Sequence, residues 1–227
     1  MLYNDKRLNI IIGAYGSGKS EIAVNFAKLM KESKPEQKVL IADLDIVNPY
    51  YRSADAAKKL EDQGIRVVFP SYARSNVDAP VLGGEMYIIF DDESYSGVYD
   101  IGGEDMGANV LGSFKSRLEK VDTNLLMVVN TLRPFTSDVD GILQMALELT
   151  EASRMNITGF INNTNLLMET TIDNVIEGEK IIKEASDKCG IPFLATTVMD
   201  GVFTDEELSR LKAPEVIKLQ KTIHYNY

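Results

Sequence analysis

The stretch that decides the fold contains eight residues, Gly13, Ala14, Tyr15, Gly16, Ser17, Gly18, Lys19 and Ser20. They fit the pattern G-x-x-x-x-G-K-[ST] and stand between an apolar run, Leu8–Ile12, and a stretch with helical periodicity, 21–30. Glycines allow such a loop to turn its main-chain N–H groups inward, towards phosphate oxygens. The sequence therefore predicts a nucleotide-binding loop, in which Lys19 reaches the β- and γ-phosphates and Ser20 binds Mg²⁺.

Apolar runs alternate with amphipathic stretches along the chain. The apolar runs predict strands at Leu8–Ile12, 39–42, 65–69, 99–101, 125–130, 157–161 and 193–197. The other stretches predict helices at 21–30, 53–63, 136–153 and 170–188, a helix that ends near residue 120, and a helical tail from 205 onward. Residues 71–96 fit neither pattern. This alternation predicts an α/β fold with three layers, a mostly parallel, doubly wound sheet between helices, in a single domain spanning 1–227.

The composition excludes several classes of protein. The 227 residues include 24 Lys and Arg against 34 Asp and Glu, and the net charge of −10 argues against general nucleic-acid binding. One histidine, His224, and one cysteine, Cys189, exclude a His-rich zinc site and an internal disulfide. No apolar run is as long as a transmembrane helix, so we expect a cytoplasmic protein without a membrane anchor.

Two carboxylates follow the second predicted strand. Asp43 and Asp45 lie at the end of the apolar run 39–42, and open parallel sheets bind ligands at the carboxyl ends of their strands. Alternation along the strand places both side chains on one side. We predict that Asp43 holds Mg²⁺ or one of its waters, and that Asp45, with Lys19, is catalytic and orients the attacking water. The alternative is a pair of solvated loop carboxylates.

A third candidate motif has the form D-x-x-G and is made by Asp100 and Gly103. We predict that Asp100, at a strand end, binds a water of the Mg²⁺ shell, and that the Gly103 N–H contacts the γ-phosphate and senses its loss. Asp92 and Glu93 are a weaker alternative for the acidic role, because no glycine follows them.

Two asparagines and one arginine are further candidates. Asn162 and Asn163 end the predicted strand 157–161, and an amide offers the donor and the acceptor that reading a base requires. The sequence does not distinguish which of the two contacts the base. Arg133, which follows the strand 125–130, is a candidate for an arginine finger acting within its own chain.

These motifs together resemble the P-loop ATPases of the MinD, ParA and nitrogenase-iron-protein class, the SIMIBI class. The resemblance rests on residues 13–20, on the D-L-D and the Asn-Pro within 43–49, and on V-Y-D-I-G-G at 98–103. It implies ATP and Mg²⁺ as cofactors, bound in a cleft of the sheet, and switching by hydrolysis. Asp43 and Asp45 would then belong to a first switch, and Asp100 and Gly103 to a second.

One position departs from that family. The ParA and MinD branch carries a second lysine early in the loop, in a K-G-G-x-G-K-[ST] arrangement, and this lysine reaches the nucleotide of the other subunit in a dimer. The matching position here is Ala14. The lysine-mediated contact between subunits is therefore absent, and a homodimer is left open.

The leading functional hypothesis is an ATP-binding, slowly hydrolysing switch or accessory protein whose state is read by a protein partner. A small-molecule kinase or ATP-dependent ligase is the first alternative, although the few arginines are not clustered as a phosphate-clamping lid requires. A nucleotide-binding protein without hydrolysis is the second. Adenine as the base rests on the resemblance, together with the missing guanine-reading pattern N-K-x-D.

Overall fold

The computed structural model describes residues 1–44, 57–69, 84–102 and 105–222. Within these ranges, eight strands form one parallel sheet in the order β3-β2-β4-β1-β5-β6-β7-β8. The strands are β1 Leu8–Ile12, β2 Lys38–Leu44, β3 Ile65–Val68, β4 Tyr95–Ile101, β5 Thr123–Val129, β6 Gly159–Asn162, β7 Phe193–Met199 and β8 Glu215–Leu219. Because β1 lies inside the sheet, the loop that follows it has strand ends on both sides.

Helices cover both faces of the sheet. They are α1 Lys19–Ser33, α2 Ala57–Asp62, α3 Ile88–Asp91, α4 Asp105–Leu118, α5 Val139–Ser153, α6 Ile172–Cys189 and α7 Asp205–Leu208. Single 3₁₀ turns lie at Leu2–Asn4, Gly84–Tyr87, Pro134–Thr136 and Leu167–Glu169. Helix α1 packs on one face, and α4, α5 and α6 lie side by side on the other. The three-layer α/β fold with a parallel sheet is thereby confirmed.

The apolar side chains of the strands alternate between the two faces. Ile11, Ile41 and Val98 pack in the cluster that includes α1. Their neighbours along the strands, such as Ile10 and Ala42, pack against the helices of the opposite face. Strands that are covered on both sides read as continuous apolar runs, which explains why most of them were predictable. Burial of each large side chain contributes about 1.5–3 kcal/mol.

The helix ends follow local sequence signals. Asp138 caps α5, because its Oδ1 accepts a hydrogen bond from the Gly141 N–H at 2.8 Å. Thr171 begins α6 with a capping box, and Gly190 ends it with a left-handed φ of 76°. The predicted end of this helix at Gly190 is confirmed.

The predicted helical tail from residue 205 is wrong. Helix α7 covers only Asp205–Leu208, and the chain then forms β8, which pairs in parallel with β7. Pro214 interrupts any continuing helix. In β8 the side chains of Ile217 and Leu219 are buried, while Val216 and Lys218 are exposed, which is the alternation of an edge strand packed on one side.

Strand β4 is longer than the predicted run 99–101. It begins at Tyr95, because its polar first half pairs with both β2 and β1. Part of the unassigned stretch, 84–91, forms the short turns that precede it. No helix among the described residues is both long enough and apolar enough to span a bilayer.

Candidate nucleotide-binding site

Three glycines give the loop between β1 and α1 its shape. Gly13, Gly16 and Gly18 have φ angles of 149°, 74° and 91°, values that residues with a side chain rarely adopt. A Cβ atom added to Gly13 would lie 2.3 Å from the Val128 carbonyl oxygen, so the loop passes directly against β5. The glycines of the predicted pattern are therefore required by the backbone that the loop adopts.

Helix α1 begins at Lys19, directly after Gly18. Gly18 offers no side chain to cap the first turn, so the helix start can accept an anion. The Lys19 side chain is buried, and its Nζ donates a hydrogen bond to the Ala14 carbonyl oxygen at 3.1 Å. This bond crosses the loop and holds the ammonium group within it.

The loop also contains a buried hydroxyl group. Ser17 is fully buried, and its Oγ has no hydrogen-bond partner among the described residues. Its main-chain N–H donates to the Ala14 carbonyl oxygen at 3.2 Å, which closes the loop as a tight turn. Tyr15, at the tip, is exposed. A polar, buried interior and an exposed tip fit a loop that wraps a phosphate group.

Two buried carboxylates lie at the ends of β2 and β4. Asp43 and Asp100 are 2% and 1% exposed and stand directly opposite each other in the parallel register. Each is two residues beyond a side chain, Ile41 or Val98, that packs in the α1 cluster. The two-residue period of a strand therefore places both carboxylates on the face that α1 covers.

This pair fits a magnesium ion of the kind bound with a nucleotide. Among the described residues, no three side chains of the His, Cys, Asp and Glu types are grouped so that they could hold a metal ion. Mg²⁺ beside phosphates needs fewer protein ligands, because it keeps several waters and takes one or two carboxylates. Asp43 and Asp100, with the Ser20 hydroxyl in the first turn of α1, would supply such a set, and a metal ion held by these residues stays a prediction.

The two candidate asparagines have different surroundings. Asn162 is fully buried: its Nδ2 donates to the Val175 carbonyl oxygen at 3.1 Å, and its Oδ1 accepts from the Thr164 N–H at 3.0 Å. Asn163 contacts the loop, because its Nδ2 donates to the Ser17 carbonyl oxygen at 2.7 Å. A contact of either amide with a base stays a prediction.

Sequence reasoning missed a polar network at the carboxyl ends of β5 and β6. Asn130, at the end of β5, donates through Nδ2 to the Asn165 carbonyl oxygen at 3.1 Å. The hydroxyl groups of Thr131 and Thr164 form a hydrogen bond of 3.0 Å. Together they tie the ends of β5 and β6. The signal that drew attention to Asn162, a polar residue at a strand end, would have identified Asn130 as well.

A second missed contact ties the end of β8 to α1. Glu21, in the first turn of α1, is buried, and its Oε1 accepts a hydrogen bond from the Thr222 N–H at 2.6 Å. Asn25 donates to the Gln220 carbonyl oxygen at 3.0 Å and accepts from the Gln220 N–H at 2.7 Å. The residues after β8 therefore bind the polar side of the helix that follows the loop.

Some predicted residues lie elsewhere or outside the described ranges. Asp45 and Gly103 are outside the residues that the structure describes. Asp92 and Glu93 precede β4, and Asp92 pairs with Lys38, the first residue of β2. They therefore lie at the amino edge of the sheet, opposite the loop, and the alternative that gave them the acidic role is wrong.

No protein-family model matches the sequence, and no curated protein sequence does. Solved structures do match. Chloroplast FtsY from Physcomitrella patens aligns with 89% of this chain at 17% identity and a TM-score of 0.58. The signal recognition particle receptor FtsY from Elizabethkingia anophelis, in complex with GDP, aligns with 88% at 17% identity and a TM-score of 0.53. FlhF complexed with GTP and Mg²⁺ aligns with 83% at 14% identity and a TM-score of 0.54.

This likeness shows the fold. The chain spans 63% of the plant FtsY structure, 61% of the bacterial one and 64% of the FlhF structure. The shared architecture is the three-layer α/β fold of P-loop NTPases, as the sequence resemblance implied, and the SIMIBI class stays a prediction. Membership of the MinD and ParA branch stays a prediction.

Proposed function

We propose that the chain is a Mg²⁺-dependent nucleoside triphosphate-binding protein that acts as a switch. The observation that carries the proposal is the loop: three left-handed glycines and a buried lysine at the start of α1, beside two opposed carboxylates. Loops of this shape direct main-chain N–H groups and a helix start at phosphate oxygens. The fold shared with proteins described as bound to GDP or to GTP and Mg²⁺ supports the same conclusion.

Each residue has a stated role in this proposal. The N–H groups of 13–20 and the Lys19 ammonium bind the phosphate chain. Ser20, Asp43 and Asp100 hold Mg²⁺ directly or through water, and the ion supplies charge neutralisation for the phosphates when it is bound. Asp45 orients a water for slow hydrolysis, and Gly103 contacts the terminal phosphate.

We propose ATP as the nucleotide. The support is the resemblance of 13–20, 43–49 and 98–103 to the MinD and ParA class, together with the missing N-K-x-D pattern. The structural neighbours named above are described with GDP and GTP, which makes the base a point to be measured. Displacement of a fluorescent nucleotide by ATP and by GTP, each with Mg²⁺, decides between the two bases.

A protein partner of this chain would read the nucleotide state. In the proposal, the segments that follow Asp43 and Asp100 are the switches, because each carboxylate lies one residue before the end of its strand. Phosphate release from ATP without an acceptor supports a switch. Consumption of ATP only after a metabolite is added would indicate a kinase or ligase, and tight binding without turnover would leave a nucleotide-binding protein without hydrolysis.

The experiment that tests the proposal removes the lysine. Lys19→Ala should weaken binding of Mg²⁺-ATP at least about 100-fold, because the buried ammonium is lost from the phosphate site. Lys180→Ala, which removes an exposed lysine of α6, is the matched control and should bind as the unaltered chain does. Equal affinity of Lys19→Ala and the control would refute the phosphate-loop assignment.

A further inference from the structure

Arg133 lies against the nucleotide-binding loop. Its Nε donates a hydrogen bond to the Gly16 carbonyl oxygen at 3.1 Å, although the side chain is exposed. A Cβ atom added to Gly16 would lie 3.3 Å from Nε and 3.5 Å from Cζ of the arginine. The guanidinium group therefore packs on a glycine of the loop that has no side chain to exclude it.

The turn that carries Arg133 is fixed by hydrogen bonds. The Arg133 N–H donates to the Asn130 carbonyl oxygen at 3.1 Å, and the Arg133 carbonyl oxygen accepts from the Thr136 N–H at 3.1 Å. The Thr136 hydroxyl donates to the same Asn130 carbonyl oxygen at 2.8 Å. The amide of Asn130 also bonds the main chain at Leu132 and Asn165. The fold thus holds the base of this long side chain beside the loop.

The bond to Gly16 uses only one of the N–H donors of the Arg133 guanidinium group. This group carries five N–H donors in a planar fork, and the bond to Gly16 is made by the one on Nε. The arginines that form ion pairs in the described part of the chain are Arg66, Arg117 and Arg210. Arg133 has no carboxylate partner there, so its terminal N–H groups are open to an anion.

The loop itself offers a single positive side chain. Position 14 holds alanine, and within 13–20 the one cationic side chain is Lys19, whose Nζ already bonds the Ala14 carbonyl oxygen. A nucleoside triphosphate carries several negative charges, and an arginine binds phosphate oxygens with two parallel hydrogen bonds.

We propose that Arg133 is the second cationic residue of the nucleotide site. Its Nε holds the Gly16 carbonyl, and its terminal N–H groups bind phosphate oxygens of the nucleotide. The inference rests on the proposed function, and it adds a cationic residue on the β5 side of the loop.

The test measures nucleotide binding by calorimetry at several salt concentrations. The proteins are the unaltered chain, Arg133→Gln, Arg133→Lys and Arg154→Gln, and the probes are ATP and GTP, each with Mg²⁺. Arg154 is the matched control, because it is an exposed arginine at the end of α5, on the amino side of the sheet away from the loop.

Arg133→Gln should bind about tenfold more weakly, the loss expected for a charge-assisted hydrogen bond, and its affinity should depend less on salt. The nucleotide affinity of Arg133→Lys should lie between those of the unaltered chain and Arg133→Gln, because lysine keeps the positive charge but lacks the planar set of donors. Arg154→Gln should bind as the unaltered chain does. The melting temperature of Arg133→Gln should be unchanged, because the side chain is exposed.

Two results would overturn the inference while the proposed function stands. One is that Arg133→Gln binds as tightly as the Arg154→Gln control. The other is that it binds more weakly with an unchanged salt dependence, which would mean that Arg133 only shapes the loop. If the unaltered chain binds neither nucleotide, the proposed function fails and the inference fails with it.

Discussion

The two sides of β1 differ in chemistry although both lie at the carboxyl edge of the same sheet. On the β5 and β6 side, the strand ends carry neutral amides and hydroxyls that bond one another and the loop, as Asn163 bonds Ser17. On the β4 and β2 side, Asp43 and Asp100 stand opposite each other. We propose that the two sides have different roles: the neutral side holds the loop in shape, and the acidic side would bind the metal ion.

The reason for the division is electrostatic. Neutral amides can be buried at little cost when each donor and acceptor is paired, so they suit a rigid support. Two ionised carboxylates opposite each other repel, and a divalent cation held by them would offset that repulsion. Variants on the two sides should therefore have different effects on stability and on metal dependence.

The largest expected effect comes from the loop itself, which the two sides share. Gly13→Ala places a Cβ atom 2.3 Å from the Val128 carbonyl oxygen at a φ of 149°. The backbone must shift, and we expect a loss of about 3 kcal/mol of stability together with loss of nucleotide binding. Gly201→Ala is the control, because Gly201 has a φ of 75° with open space around it. It should cost about 1 kcal/mol and leave binding intact. Urea unfolding with a binding assay measures both quantities, and equal losses in the two variants would contradict the account.

On the acidic side, Asp100→Asn and Asp43→Asn should each lower the affinity of the nucleotide-bound chain for Mg²⁺ about 10- to 100-fold, as the loss of residues around bound metals generally does. Affinity without Mg²⁺ should change little. Asp92→Asn, an exposed residue at the opposite edge of the sheet, should have no effect on either quantity. A Mg²⁺ titration at fixed nucleotide provides the measurement. If the metal dependence survives both substitutions, the metal site lies elsewhere.

On the neutral side, Asn163→Ala should lower nucleotide affinity about tenfold, because the Ser17 carbonyl oxygen loses its partner and the loop loses a support. Asn162→Ala is the comparison. It should cost about 1–3 kcal/mol of stability, since it removes buried hydrogen bonds to the Thr164 N–H after β6 and to the Val175 carbonyl oxygen of α6, with less effect on affinity. Thermal unfolding and nucleotide titration of both variants distinguish the roles. If Asn162→Ala instead lowered affinity and Asn163→Ala mainly lowered stability, Asn162 would be the residue that supports the loop.

The smallest expected effect comes from the rim beyond β6. Leu167 has a left-handed φ of 56° and an exposed side chain. Leu167→Gly should stabilise the chain by up to about 1 kcal/mol, because glycine adopts this conformation without strain. Nucleotide affinity should be unchanged. A drop in melting temperature would show that the side chain makes contacts worth more than the strain.

Local sequence patterns were enough to predict the loop and most strands. The glycines at 13, 16 and 18 have the φ angles that make them necessary, and β5 reads as a continuous apolar run because both of its faces are covered. Asp43 and Asp100 were also predictable as separate strand-end carboxylates, since each directly follows apolar residues of its strand. These features depend on near neighbours in sequence.

The features that sequence reasoning missed depend on distant pairing. Strand β8 was predicted as part of a helical tail, because it is only five residues long and follows the capped helical turn that begins after Thr204. The first half of β4 is polar, and only its pairing with β1 and β2 makes it a strand. The position of Arg133 after β5 made it a candidate for the nucleotide site, but its bond to Gly16 joins residues 117 positions apart and no local pattern indicates it.

The measurement that tests the central claim most directly is a calorimetric titration of the unaltered chain with ATP and with GTP, in the presence and absence of Mg²⁺. The account predicts binding of one nucleotide per chain, tighter with Mg²⁺ than without it, with ATP preferred. Absence of binding to both nucleotides at millimolar concentration, or an affinity that Mg²⁺ does not alter, would contradict it.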